Sequence, residues 1–334
     1  MTLRQTIVSL LYLYGVQRAR VAASAIQRSP APTATHNNFA CRSAIHPNPV
    51  IILHGLSCNT YSCISTLTDF LGASGFCTFS TVYGISFVPS LGIIPIPFGG
   101  VAPIKNSAPE VVAFVHQVLA LTGAAQVDMV GHSEGAFMSL WVAKFYPELN
   151  PYTSQIVALA PPTHGTDFSN FYDMAYIFGE TSRKLVSDFF QTVQCGACDD
   201  LGIGGPAVIA LNADGPIAQP SIQYTILATQ DDEFVTPPPV AFVEEPGVRN
   251  IYIQDYCPDD ITGHHALSYD VNVQQVVRNT LLGHFDAPIT CLAGPGMVDT
   301  VLGIAEGLEH SDLTLPEQAD KGLKDILASM TWFR

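Results

Sequence analysis

The chain has 334 residues, with 14 Lys plus Arg against 29 Asp plus Glu, for a formal net charge of −15. Charged residues make up 13% and hydrophobic residues 48%, whereas globular proteins carry about 25% charged residues. This balance excludes intrinsic disorder, which needs high charge and low hydrophobicity, and nucleic-acid binding, which needs clustered Lys and Arg. An apolar run of about 18 residues would signal a membrane span. The densest runs, Ile7–Val16 and Leu91–Ile104, are short or broken by Pro95, Pro97, Gly99 and Gly100. No transmembrane span is expected.

In chain order, residues 1–38 read as an N-terminal helix and an extended lead-in. Arg4, Ile7–Val16 and Ala22–Ala25 have the order of a signal peptide. Arg18 and Arg20 fall where such a peptide is uncharged, so an amphipathic helix fits as well. Pro49–Leu53 is a continuous apolar run, as expected of a strand buried on both faces. Leu67–Gly75 reads as helix and Phe76–Tyr83 as a second strand. Residues 84–104 are apolar, rich in Pro and Gly, and aperiodic. Pro109–Thr122 has helical spacing and is closed by Gly123. Val127–Val130 is a strand running into Gly131-His132-Ser133-Glu134-Gly135, and Ala136–Tyr146 is a helix stopped by Pro147. Residues 167–194 carry aromatics at helical spacing. Gln155–Ala160, Gln223–Thr229 and Val248–Ile253 are further strands. Strand and helix alternate, which predicts an α/β fold with a mostly parallel central sheet and helices on both faces.

Eight cysteines stand at 41, 58, 63, 77, 195, 198, 257 and 291. Cys195-Gly-Ala-Cys198 has no second CxxC or His pair at zinc spacing, so metal is not expected. Four disulfides in an oxidising, extracellular compartment are expected. The sequence holds no N-x-[ST] sequon.

Gly131–Gly135 fits G-x-S-x-G, and its place between a strand and a helix is that of a nucleophile elbow, with Ser133 as nucleophile. A serine needs a base, and the base needs an orienting acid. The acid should follow a later strand, where Asp231, Asp232 and Glu233 all qualify. The base should come later still, and His264, His265, His284 and His310 are candidates. His284 reads as a C-cap or surface residue and His310 as part of a polar tail. His132 and His164 read as structural. The oxyanion hole needs two backbone N–H groups. Glu134, after the nucleophile, supplies one, and Leu56, after His54-Gly55, supplies the other.

At this point residues 39–291 resemble the secreted triacylglycerol lipases of the α/β-hydrolase superfamily, the lipase class 2 group. The resemblance rests on Cys41-Arg42-Ser43 with His46-Pro47, Val50–Gly55, Gly75-Phe76-Cys77 with Tyr83-Gly84, and Ser107–Val118. It continues through Val127–Gly135, Leu159–Thr166, Cys195–Cys198, Tyr224–Pro237 and Gln254–Asp270. It implies an α/β-hydrolase fold with a small cap or lid from residues 84–104 and 167–194, and a C-terminal helical extension over 292–334. Within Thr229–Pro237 the resemblance selects Asp232. Through the spacing of Cys257, His264 and Asp270 it selects His264 over His265. It suggests the pairings Cys41–Cys77, Cys195–Cys198 and Cys257–Cys291, with Cys58–Cys63 as the remaining pair. The chain departs from such lipases at Glu134, where Gln is usual. Residues 84–104 are also longer and more apolar.

The resemblance implies a secreted serine hydrolase that cleaves lipid or other apolar esters through Ser133, His264 and Asp232. It implies no cofactor, no metal, no nucleic-acid partner and, at most, transient contact with a lipid interface. A short-chain carboxylesterase, an acyltransferase and a non-catalytic binding relative are the alternatives. The oligomeric state is not legible.

Overall fold

The computed structural model describes residues 36–60, 63–85, 99–168, 184, 187–188, 190 and 194–292. The expected N-terminal helix, most of the two cap segments, the C-terminal extension and His310 lie outside them.

Among the described residues six strands form one parallel sheet: β1 (Val50–Leu53), β2 (Thr78–Phe79), β3 (Val127–His132), β4 (Thr153–Leu159), β5 (Gln223–Ala228) and β6 (Val248–Tyr252). Their order across the sheet is β2-β1-β3-β4-β5-β6. The helices are α1 (Ser65–Ala73), α2 (Ile104–Thr122), α3 (Glu134–Phe145), α4 (Gly196–Asp200), α5 (Pro206–Asn212) and α6 (Val271–Leu281). Alternate residues of a strand face opposite sides. Ile51 and Leu53 therefore pack into one core with residues of α2, α3 and α5. Val50 and Ile52 pack into another with residues of α1 and α6. Burial on both faces explains why β1 is apolar at all four positions.

From β1 the chain steps outward to β2, then returns across β1 to β3. The strand order reverses there, and the crevice beyond the carboxyl ends of β1 and β3 is the place where such sheets bind ligands. α3 points its N-terminus at this crevice. Ten of its twelve residues are buried, Glu134–Ala143 without a break, so it is a central helix and not an amphipathic one.

Two elements differ from expectation. The predicted strand Phe76–Tyr83 pairs only at Thr78–Phe79, because β2 is an edge strand and the burial of Phe76 and Tyr83 serves other contacts. α2 starts at Ile104, five residues before the expected Pro109. The Asp200 carboxylate accepts the Ile104 N–H at 2.8 Å and so satisfies an otherwise orphaned helix-terminal donor. The eight cysteines stand in four bonded pairs, Cys41–Cys77, Cys58–Cys63, Cys195–Cys198 and Cys257–Cys291. Among the described residues no helix is long and apolar enough to cross a membrane.

Candidate active site

The turn between β3 and α3 places Ser133 above the strand ends. Its backbone is at φ 57° and ψ −120°, a sparsely populated region that costs about 1–3 kcal/mol. Two hydrogen bonds fix it: Ser133 N–H donates to Leu159 O at 2.8 Å, and Phe137 N–H donates to Ser133 O at 3.0 Å. The flanking glycines are required by contact. A Cβ on Gly131 would lie 2.3 Å from Gly135 O, and one on Gly135 would lie 2.4 Å from Leu53 O.

Ser133 Oγ and His264 Nε2 are 2.8 Å apart. His264 Nδ1 lies 2.8 Å from Asp232 Oδ2. Asp232 follows β5, and its other oxygen accepts N–H groups from Phe234 at 2.9 Å and Val235 at 2.6 Å. Asp232 and His264 are both buried. Burial alone would favour their neutral forms. The charge and hydrogen bond they share, with the two backbone donors, outweigh it and hold the Asp232 carboxyl below its usual range. Burial likewise depresses His264, but Asp232 and then Glu233 outweigh it and raise its pKa above 6.5.

The loop carrying His264 is held from three sides. Its backbone N–H donates to Glu233 Oε2 at 2.7 Å. The Thr262 hydroxyl donates to Asp270 Oδ2 at 2.6 Å. His132 Nε2 lies 2.9 Å from His264 O, and burial drives the His132 pKa down to about 3, so His132 is neutral there and donates. Of the remaining candidates, Asp231 does not reach His264 among the described residues. His265 is exposed and meets Phe234 edge-on, with ring centroids 4.4 Å apart. His284 sits at the end of α6 with its N–H on Asn279 O, and His164 Nε2 lies 2.9 Å from Phe242 O.

Leu56 and Glu134 flank Ser133 from the ends of β1 and β3. The two loops abut, since a Cβ on Gly55 would stand 3.1 Å from Ser133 Cβ. The Glu134 N–H is the first of α3, one of the donors a helix leaves unpaired. The cleft is lined by Leu56, Ser133, Pro162, Phe168, Leu201, Phe234 and Val235 around His264, an apolar wall beside the Ser133 hydroxyl and the His264 ring. Thr166 ties the wall together: its hydroxyl donates to Phe234 O and accepts the N–H groups of Phe168 at 2.9 Å and Thr236 at 3.2 Å.

Sequence reasoning left the partners of Glu134 unnamed. Its side chain is fully buried and meets Tyr83 Oη at 3.2 Å. Tyr83 in turn stacks on His54, with ring centroids 4.4 Å apart. Tyr83-Gly84 and His54-Gly55 were visible as motifs, but nothing in their spacing says that they meet. Among the described residues no cluster of His, Cys, Asp and Glu could hold a metal.

A six-stranded parallel sheet with an elbow serine at its switch point defines the α/β-hydrolase fold. The lipase B of Aspergillus fumigatus superposes with a TM-score of 0.52 at 14% identity, covering 89% of this chain and 70% of that one, and so shares the fold. Within that class, residues 47–145 match the family described as Lipase (class 2). Triacylglycerol lipases of Pseudarthrobacter phenanthrenivorans and Burkholderia plantarii are each 37% identical over 62 residues, 19% of this chain. The match spans only 18% and 16% of those relatives' own lengths. Over residues 47–145 the chain is therefore similar to class 2 lipases.

Proposed function

We propose that the chain is a serine hydrolase of carboxylic esters, with apolar lipid esters as its substrates. The observation that carries this reading is His264, which stands within 2.8 Å of both Ser133 Oγ and Asp232 Oδ2. Ser133 attacks the ester carbonyl while His264 takes its proton. Asp232 fixes the tautomer and stabilises the imidazolium. The Leu56 and Glu134 N–H groups hold the oxyanion. His264 then protonates the leaving alcohol, and water hydrolyses the acyl-enzyme. The apolar cleft wall supports an uncharged acyl chain as the group that binds. No cofactor or metal enters these steps. Four cysteine pairs support an extracellular setting, where a lipid interface is the expected source of substrate.

Fluorophosphonate labelling of the wild type and of Ser133→Ala tests the nucleophile. Label is expected on the wild type alone, and equal labelling of both would end the claim. A series of p-nitrophenyl esters of rising acyl length tests the substrate class. Turnover confined to the shortest chains would replace the lipid-ester reading with that of a short-chain carboxylesterase.

A further inference from the structure

Glu134 contributes its backbone to the proposed oxyanion hole, yet its side chain is buried on the far side of that hole. Tyr83 Oη lies 2.7 Å from His54 O and 3.2 Å from Glu134 Oε2. A phenol has one proton to give. At 2.7 Å that proton belongs on the His54 carbonyl. The contact between Tyr83 Oη and Glu134 Oε2 then has a hydrogen only if the carboxyl carries it. A carboxylate there would leave two acceptors facing each other without water, which is costly. Among the described residues the second carboxyl oxygen, Oε1, is buried with no partner, a further cost to an ionised group.

Among the described residues the surroundings offer no compensating charge. Burial lowers the His54 pKa to about 4, so its ring stays neutral. Asp200 adds negative charge, itself partly offset by Lys105. The Gly100 backbone closes the remaining side, since a Cβ there would stand 2.4 Å from Glu134 Oε2. Burial first, then Asp200, push the Glu134 pKa up to about 8, although the Tyr83 hydroxyl works in the other direction.

We propose that the Glu134 side chain is a positioning group, a neutral carboxylic acid that donates to Tyr83, which in turn holds the His54 carbonyl and with it the Gly55-Leu56 turn of the oxyanion hole. This rests on the ester-hydrolase reading given above. When Glu134 ionises, the Tyr83 proton is drawn to the carboxylate, the His54 carbonyl loses its donor, and Leu56 N–H loses its aim. The hydrolase therefore carries an alkaline limit set by a group that never touches substrate. A glutamine at this position keeps a donor for Tyr83 at every pH.

The test is the pH profile of kcat/KM for the wild type, Glu134→Gln and Tyr83→Phe on a short p-nitrophenyl ester. The wild type is expected to lose activity roughly tenfold as Glu134 ionises, a partial loss of what one oxyanion donor supplies. In Glu134→Gln the ratio of alkaline to neutral activity should rise by a similar factor. Tyr83→Phe should lower kcat more than it raises KM. Infrared spectroscopy of the wild type at neutral pH should show the carbonyl stretch of a buried carboxylic acid that Glu134→Gln removes. An unchanged alkaline limb in Glu134→Gln, or no such band in the wild type, would overturn the proposal. Absence of ester hydrolysis in every variant would instead remove the functional reading, and the infrared band would still decide the protonation of Glu134.

Discussion

Asp232 does two jobs with two oxygens. One faces His264 and the other turns back to accept the N–H groups of Phe234 and Val235. Asp232→Asn keeps the shape but offers an amide that favours the wrong imidazole tautomer, so kcat should fall about 10⁴-fold with KM little changed. Steady-state kinetics check this. Three consecutive carboxylates could not be separated by residue type, because the choice depends on which way the turn faces. Glu233 shows the point: it lies beside the acid but receives the His264 backbone N–H. Its charge also helps to raise the His264 pKa. Glu233→Gln keeps an acceptor and removes that charge, so the pKa of His264 should fall. The base must be neutral to act, so activity rises as pH climbs through that pKa. The acid limb of kcat/KM should therefore move to lower pH in the variant, and a limb left in place would deny Glu233 this influence. Ser133 carries a stability cost of its own. Ser133→Gly removes the strain of a positive φ, and the variant should be more stable than the wild type by about 1 kcal/mol in urea unfolding.

The strands were legible because parallel strands buried on both faces are written as unbroken apolar runs, as Val50–Leu53 shows. The elbow was legible because Gly131 and Gly135 are demanded by backbone contacts under 2.5 Å. What escaped was set by contacts distant in sequence. The start of α2 depends on Asp200, 96 residues away. The role of Tyr83 depends on a helix that begins 51 residues later, and the run Phe76–Tyr83 taken alone carries only the pattern of a strand. α6 supplies a prediction at this scale. Its N-cap Asp270 accepts the N–H groups of Asn272 at 2.6 Å and Val273 at 3.0 Å while also receiving the Thr262 hydroxyl. Asp270→Ala removes a cap and a brace of the His264 loop together. It should cost about 2 kcal/mol of stability and lower kcat, whereas loss of stability without loss of kcat would separate the two roles.

Across the whole molecule, the three side chains of the proposed triad come from the ends of different strands, and the loops that present them are brought together only by the finished sheet. The cysteine pairs follow another plan. Their partners are separated by 36, 5, 3 and 34 positions, so each closes a local loop. None joins β1 or β3 to β4 or β5. Cys58–Cys63 stiffens the loop beside Leu56, and Cys257–Cys291 encloses both the His264 loop and α6. Closing short loops removes less entropy from the unfolded chain than closing long ones, so most of what holds the sheet is its two apolar cores. Mild reductant should therefore abolish hydrolysis while far-UV circular dichroism changes little, and simultaneous loss of both signals would show that the bridges hold the whole fold. On the expected outcome the sheet forms without its bridges, and the reduced chain is folded with the Leu56 and His264 loops unbraced. The redox state of its cysteines, set by its surroundings, then decides whether the loops around Ser133 and His264 are braced.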